Sequence, residues 1–154
     1  MNNRIFLATP ISGFSTEIEY KEYRTEALKL ISFLRENGYE VCSELENVVG
    51  SSDYDSPAKS VSDDFTSIKA NDYFLLLHPA RMQTSSLIEF GYACAFDKKV
   101  VAVGRKKDMP YLVIGYEEFS KKAKIVETDK LVEDIFPEVL NALESLLFGD
   151  ENSD

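Results

Sequence analysis

Residues 72–105 read Asp72-Tyr-Phe-Leu-Leu-Leu-His78, Pro79-Ala-Arg-Met-Gln-Thr-Ser-Ser86, Leu87-Ile-Glu-Phe-Gly-Tyr-Ala-Cys-Ala-Phe-Asp-Lys-Lys99 and Val100-Val-Ala-Val-Gly-Arg105. The first piece is a short continuous apolar run, the pattern of a strand covered on both faces. The second is a polar loop. The third has helical spacing, with Gly91, Ala93 and Ala95 small enough to let a helix lie close on a sheet. The fourth is a second β-branched run. Strand, helix and strand in this order make a βαβ unit. Glu89, in the first turn of its helix, then sits just beyond the carboxyl end of the strand, where open α/β sheets bind ligands.

Upstream, Arg4 to Thr9 reads as a first strand, and Pro10, Ile11, Ser12, Gly13 and Phe14 form a loop in which backbone can approach a ligand. Thr16-x-x-Glu19 is a capping-box pattern. Behind it, Tyr23, Ala27, Leu30, Ile31 and Leu34 share a helical face that Asn37-Gly38 brings to a stop. Glu40 to Ser43 makes a short strand, and residues 45–58 read as a long polar loop. A helix then runs from Ser56–Ser60 to Asn71. Its apolar positions Val61, Phe65 and Ile68 form a stripe completed by Asp64, which places a carboxylate on the face turned to the core.

Downstream, Lys106 to Pro110 reads as a loop. Tyr111 to Lys121 reads as an irregular or helical segment packing through Tyr111, Leu112, Ile114 and Phe119. Lys124 to Glu127 is a fifth strand. Leu131, Ile135, Val139, Leu143 and Leu146 mark a closing helix, with Pro137 kinking it or opening its main part. Alternation of strands and helices predicts a three-layer α/β sandwich, Rossmann- or flavodoxin-like, with about five mainly parallel strands. Residues 1–148 read as one domain and 149–154 as an acidic tail.

The totals narrow the function. The formal net charge of −10 over 154 residues argues against polymeric nucleic acid as partner. No apolar run has the length that crosses a bilayer, and the first residues carry no signal-peptide cleavage pattern. Cys42 and Cys94 have no metal spacing and the chain has one histidine, so no zinc site, other metal or cofactor is expected, and the thiols suit a cytoplasmic protein. There is no Gly-x-Gly-x-x-Gly, no phosphate-binding P-loop and no serine elbow.

What remains is a pair of carboxylates, Glu89 and Asp64, in one cleft. Such a pair suits chemistry at an anomeric carbon: one carboxylate meets the oxocarbenium charge or attacks it, and the other protonates the leaving group. Each has a plainer reading. Ser86-x-x-Glu89 is a capping box in its own right, and Asp64 can be a helix residue half in solvent. Ser85 and Ser86 cap the helix, or cap it while donating to a phosphate or sugar oxygen. His78 and Met82, between strand and helix, read as structural or ligand-lining. Tyr92 and Phe96 read as packing.

The order Ala8-Thr-Pro-Ile-Ser-Gly13, Ser62-Asp-Asp-Phe65, Asn71-Asp-Tyr-Phe-Leu-Leu-Leu77 and Ser85-Ser-Leu-Ile-Glu-Phe-Gly-Tyr-Ala93 resembles the nucleoside 2-deoxyribosyltransferase superfamily. That superfamily includes deoxyribosyltransferases, deoxynucleoside monophosphate N-glycosidases and cytidylate N-glycosidases. The resemblance, over roughly residues 3–106, implies Glu89 as nucleophile or oxocarbenium partner at C1′ and Asp64 as helper in base protonation. It implies sugar and base contacts from Ile11 to Phe14, and contact with the 5′ end from Ser85 or Ser86. It also implies a small nucleoside or nucleotide substrate and a homo-oligomer, dimer or larger. Two other readings stay open: a TIR-like enzyme cleaving NAD, whose fold also sets a Glu after a Ser-containing loop, and a nucleotide-binding module without chemistry, in which Glu89 faces solvent or serves only as a cap.

Overall fold

The computed structural model describes residues 3–49 and 55–147. Part of the 45–58 loop and the acidic tail lie outside the described residues.

Five strands build one sheet: β1 (Arg4–Ala8), β2 (Glu40–Cys42), β3 (Tyr73–His78), β4 (Lys99–Gly104) and β5 (Ala123–Glu127). Their order is β2-β1-β3-β4-β5, and every pairing is parallel. β3, all six residues of it buried, runs through the centre, as its unbroken apolar run requires. Chain direction along the sheet reverses between β1 and β3, the switch point at which loops part and leave a crevice.

Helices cover both faces. α1 (Glu17–Glu36) and α5 (Phe136–Ser145) bury Ala27, Leu30, Ile31, Leu34, Val139 and Leu143 against Ile5, Leu7, Leu75 and Leu77. On the other face lie α2 (Pro57–Ala70), α3 (Ser86–Ala95) and α4 (Tyr111–Phe119), which meet Phe6, Phe74 and Leu76 through Ile68, Phe90, Ala93 and Val113. This is the three-layer sandwich expected. Thr16 caps α1 by accepting from the Glu19 N–H at 3.1 Å, and Glu19 in turn accepts from the Ser15 N–H. Asn37 ends the helix, and Gly38 turns away at a φ of 88°. Pro137 opens α5 rather than kinking it.

Three local expectations need correction. The α2 stripe is rotated: Ile68 is buried, but Val61 is 55% and Phe65 42% exposed. α2 leans on α3, with the Phe65 ring edge-on to Tyr92 and Phe96, so its upper half overhangs the crevice instead of the core. Asp64 is half-buried on that overhanging face. In the Tyr111–Lys121 segment, helical over α4, Val113 is buried and Ile114 packs partly buried against the same cluster, as expected. Tyr111, Leu112 and Phe119 stand exposed, because one side of a short helix is all the sheet can cover. Lys106–Asp108 is a 3₁₀ turn rather than a plain loop, fixed by Arg105 donating to Asp108 at 2.6 Å.

Candidate active site

The loops after β1, β2 and β3 meet α2 and α3 around a hollow of about 400 Å³ at the carboxyl end of the sheet. Asp64 enters from α2 and Glu89 from α3. Their carboxyl groups are hydrogen-bonded to each other. Glu89 is the donor: burial, then the Asp64 and Glu44 charges, push its acid group up to about 8, and the bond to Asp64 adds to this. Burial and the neighbouring charges of Glu44 and Asp63 raise Asp64 as well, while the bond from Glu89 works the other way. Two carboxyls this close cannot both ionise cheaply, so the pair holds one proton between them at neutral pH.

Glu89 is not a cap. Ser85 is the N-cap of α3 and makes no side-chain capping bond, and the Ser86 hydroxyl is turned inward to Thr84 Oγ1 at 2.5 Å. The capping box that Ser86-x-x-Glu89 spells does not form, because Ser86 lies one residue inside the helix. Glu89 is therefore free to face Asp64.

Other side chains brace the hollow. Ser43, buried at the end of β2, donates to the Leu7 carbonyl at 3.0 Å and accepts from the Leu45 N–H. Tyr20 donates to the Val48 carbonyl, Arg24 to that of Leu45, and Arg35 grips both Glu46 oxygens and the Val41 carbonyl. These bonds hold the 3₁₀ turn Glu44–Glu46 in place and set Glu44 at the rim of the hollow. The sequence reading passed over Glu44. The signal for it was there: it follows the end of β2, as Glu89 follows that of β3. Asp63, Asp55, Ser43 and Ser60 line the same hollow and were likewise missed.

The candidate residues divide into groups. Ile11, Ser12, Ser85, Asp64 and Glu89 line this hollow. Gly13, Phe14, His78 and Met82 instead line a neighbouring one of about 540 Å³ towards α1. The partition is the contact of two loops: a side-chain carbon on Gly13 would lie 3.2 Å from the Met82 methyl. Phe14 packs on Tyr20 and Tyr23, which fixes it against α1. The His78 ring is buried, with Nε2 bonded to the Asp108 carbonyl at 3.1 Å, and burial lowers its basicity. Pro10 and Ser86 are buried and line neither hollow. Among the described residues no cluster could hold a metal ion, and no helix is long and apolar enough to cross a membrane.

No protein-family model and no curated protein matches the chain. Solved structures do. The CMP N-glycosidase BcmB of Clostridium botulinum aligns over 92% of this chain and 98% of its own, with a TM-score of 0.64 at 24% identity. BlsM aligns over 99% and 96%, with a TM-score of 0.80 at 20% identity. A conserved protein of Enterococcus faecalis V583 aligns over 92% and 99%, with a TM-score of 0.53 at 16% identity. At these identities the comparisons establish a shared three-layer fold.

Proposed function

We propose that the protein is an enzyme that breaks the N-glycosidic bond of a nucleoside or nucleotide, passing the sugar to water or to a second base. The observation that carries this reading is the hydrogen-bonded pair Glu89–Asp64, brought from two helices into one hollow at the switch point. As the bond from C1′ to the base nitrogen lengthens, its electron pair leaves with the base and positive charge grows at C1′. That charge favours an ionised Glu89, so the shared proton shifts to Asp64 and on to the departing base. Glu89 then faces the oxocarbenium carbon, either as a counter-charge or as a nucleophile. The similarity of fold to a CMP N-glycosidase supports the same class of bond.

The purely binding reading requires Glu89 to face solvent or to cap its helix. Its half-buried position against Asp64 speaks against that. No feature of the hollow favours NAD. The dimer or larger assembly implied by the resemblance stands as a separate proposal; Tyr111, Leu112 and Phe119 are the exposed side chains it would cover, and sedimentation at micromolar concentration tests it.

The decisive experiment is incubation with nucleosides, 5′-nucleotides and NAD, followed by chromatography for free base, nicotinamide or an exchanged nucleoside. Release of base by the wild type and its loss in Glu89→Gln is the expected result. Equal release by both proteins would remove the assignment.

A further inference from the structure

The hollow that holds Glu89 and Asp64 is ringed by negative charge. Glu44, Asp55 and Asp63 line it beside the pair, and among the described residues no lysine or arginine does. Lys59 is the cation closest to it along α2, and its charge is already matched: Nζ lies 2.9 Å from Asp55 Oδ2 and 2.7 Å from Asp63 Oδ2. Glu44 stands close enough to act on both Asp64 and Glu89, and the bonds of Ser43, Tyr20 and Arg24 keep its turn from swinging away.

We infer that the substrate of this hollow is a nucleoside lacking a 5′-phosphate, and that Glu44 is a specificity-determining residue that turns phosphorylated nucleosides away. The inference rests on the N-glycosidic reading of the same site and deepens it. A phosphate monoester carries between one and two negative charges near neutral pH. Inside a partly dry hollow, repulsion from fixed carboxylates is screened far less than at an open surface. The start of α3 offers about half a unit of positive charge, which is outweighed by Glu44 and the ionised member of the pair. Sugar hydroxyls and base amino groups are neutral donors, and they match the same carboxylates as acceptors. The pyrophosphate of NAD meets the same obstacle.

The test compares kcat/KM for base release from cytidine, uridine, adenosine and inosine, and from their 2′-deoxy forms, each beside its own 5′-monophosphate. Wild type and Glu44→Gln are run at low and high salt. Equilibrium binding is measured in parallel with the uncleavable C-nucleosides pseudouridine and formycin A and their 5′-monophosphates. The expected result is a preference of about tenfold or more for the nucleoside, which shrinks about tenfold in Glu44→Gln and narrows with salt. Equal or better use of the monophosphates, or a ratio that Glu44→Gln leaves unchanged, overturns the inference and leaves the N-glycosidase reading intact. Release from neither substrate class, with C-nucleosides still bound more tightly than their phosphates, overturns the reaction and keeps the charge preference. Binding of none overturns both.

Discussion

The Glu89 carboxyl on α3 donates a hydrogen bond to the Asp64 carboxyl on α2, and the two groups share one proton. Activity that needs this proton has a pH window. On its alkaline side kcat should fall as pH rises through about 8, where the pair gives up its proton. On its acid side activity should fall as Asp64 is protonated, above the ordinary aspartate range, since burial and the surrounding charges raise that group. A pH–rate profile checks both limbs; a flat rate from neutrality to pH 10 would contradict the shared proton.

Substituting the pair should separate chemistry from binding. Asp64→Asn keeps the shape and loses the acid, so kcat should drop about 100-fold or more while KM stays within about threefold. On the proposed mechanism Glu89→Gln should lower kcat further, because it would remove the charge facing C1′. Steady-state kinetics on any cleaved nucleoside reads this out. An Asp64→Asn protein with the wild-type kcat would remove Asp64 from the mechanism.

The same proton couples to stability. Glu89 holds its proton up to about 8 in the folded chain, against an ordinary value of 4.5. The stability this contributes is therefore fully present below about 4.5 and is lost as pH rises through about 8. Urea unfolding at pH 5 and at pH 9 should show the wild type losing about 4 kcal/mol more than Glu89→Gln over that interval. Parallel losses in the two proteins would show that Glu89 titrates alike folded and unfolded.

Gly104 ends β4 at a φ of 152°, and a side-chain carbon there would collide with the His78 carbonyl oxygen. Backbone cannot yield as a flexible side chain can. Gly104→Ala should cost about 3 kcal/mol in urea unfolding. Gly91→Ala is the control, since nothing lies within 4 Å of the added carbon on that helix; it should be neutral or slightly stabilising.

Ser43→Ala removes the bond to the Leu7 carbonyl and leaves that buried oxygen short of a partner. A loss of about 1–2 kcal/mol is expected. Nucleoside KM should rise with it, because the turn carrying Glu44 loses its tie to β1. A stability loss with unchanged KM would mean that the remaining bonds to Val48 and Leu45 suffice.

Most of the architecture was legible because it is written in periodicity. β3 and β4 are unbroken apolar runs, α1 has one consistent apolar face, and Asn37-Gly38 and Pro137 punctuate as their chemistry demands. The misreadings share a cause: a stripe records which residues are apolar, not what is there to cover them. Phe65 and Leu112 satisfy the helical pattern and meet either a neighbouring helix or nothing. The capping box at Ser86 failed by one residue, a shift that spacing cannot register and a hydroxyl bonded to Thr84 decides. Glu44 and the division of the cleft at Gly13 and Met82 depend on loops folding back over one another, which leaves no period to read.

Among the described residues α2 is held near its end by Ile68 and by Lys98 donating to the Lys69 carbonyl, and further out by the Phe65 ring against α3 and the Asp64–Glu89 bond. The acid is thus mounted on a cantilever, and its partner carboxylate on a fixed post. A small tilt of that arm would tighten the gap around a guest without any change in strand pairing. Amide exchange should be fastest along the arm's outer half and should slow there when a C-nucleoside is present.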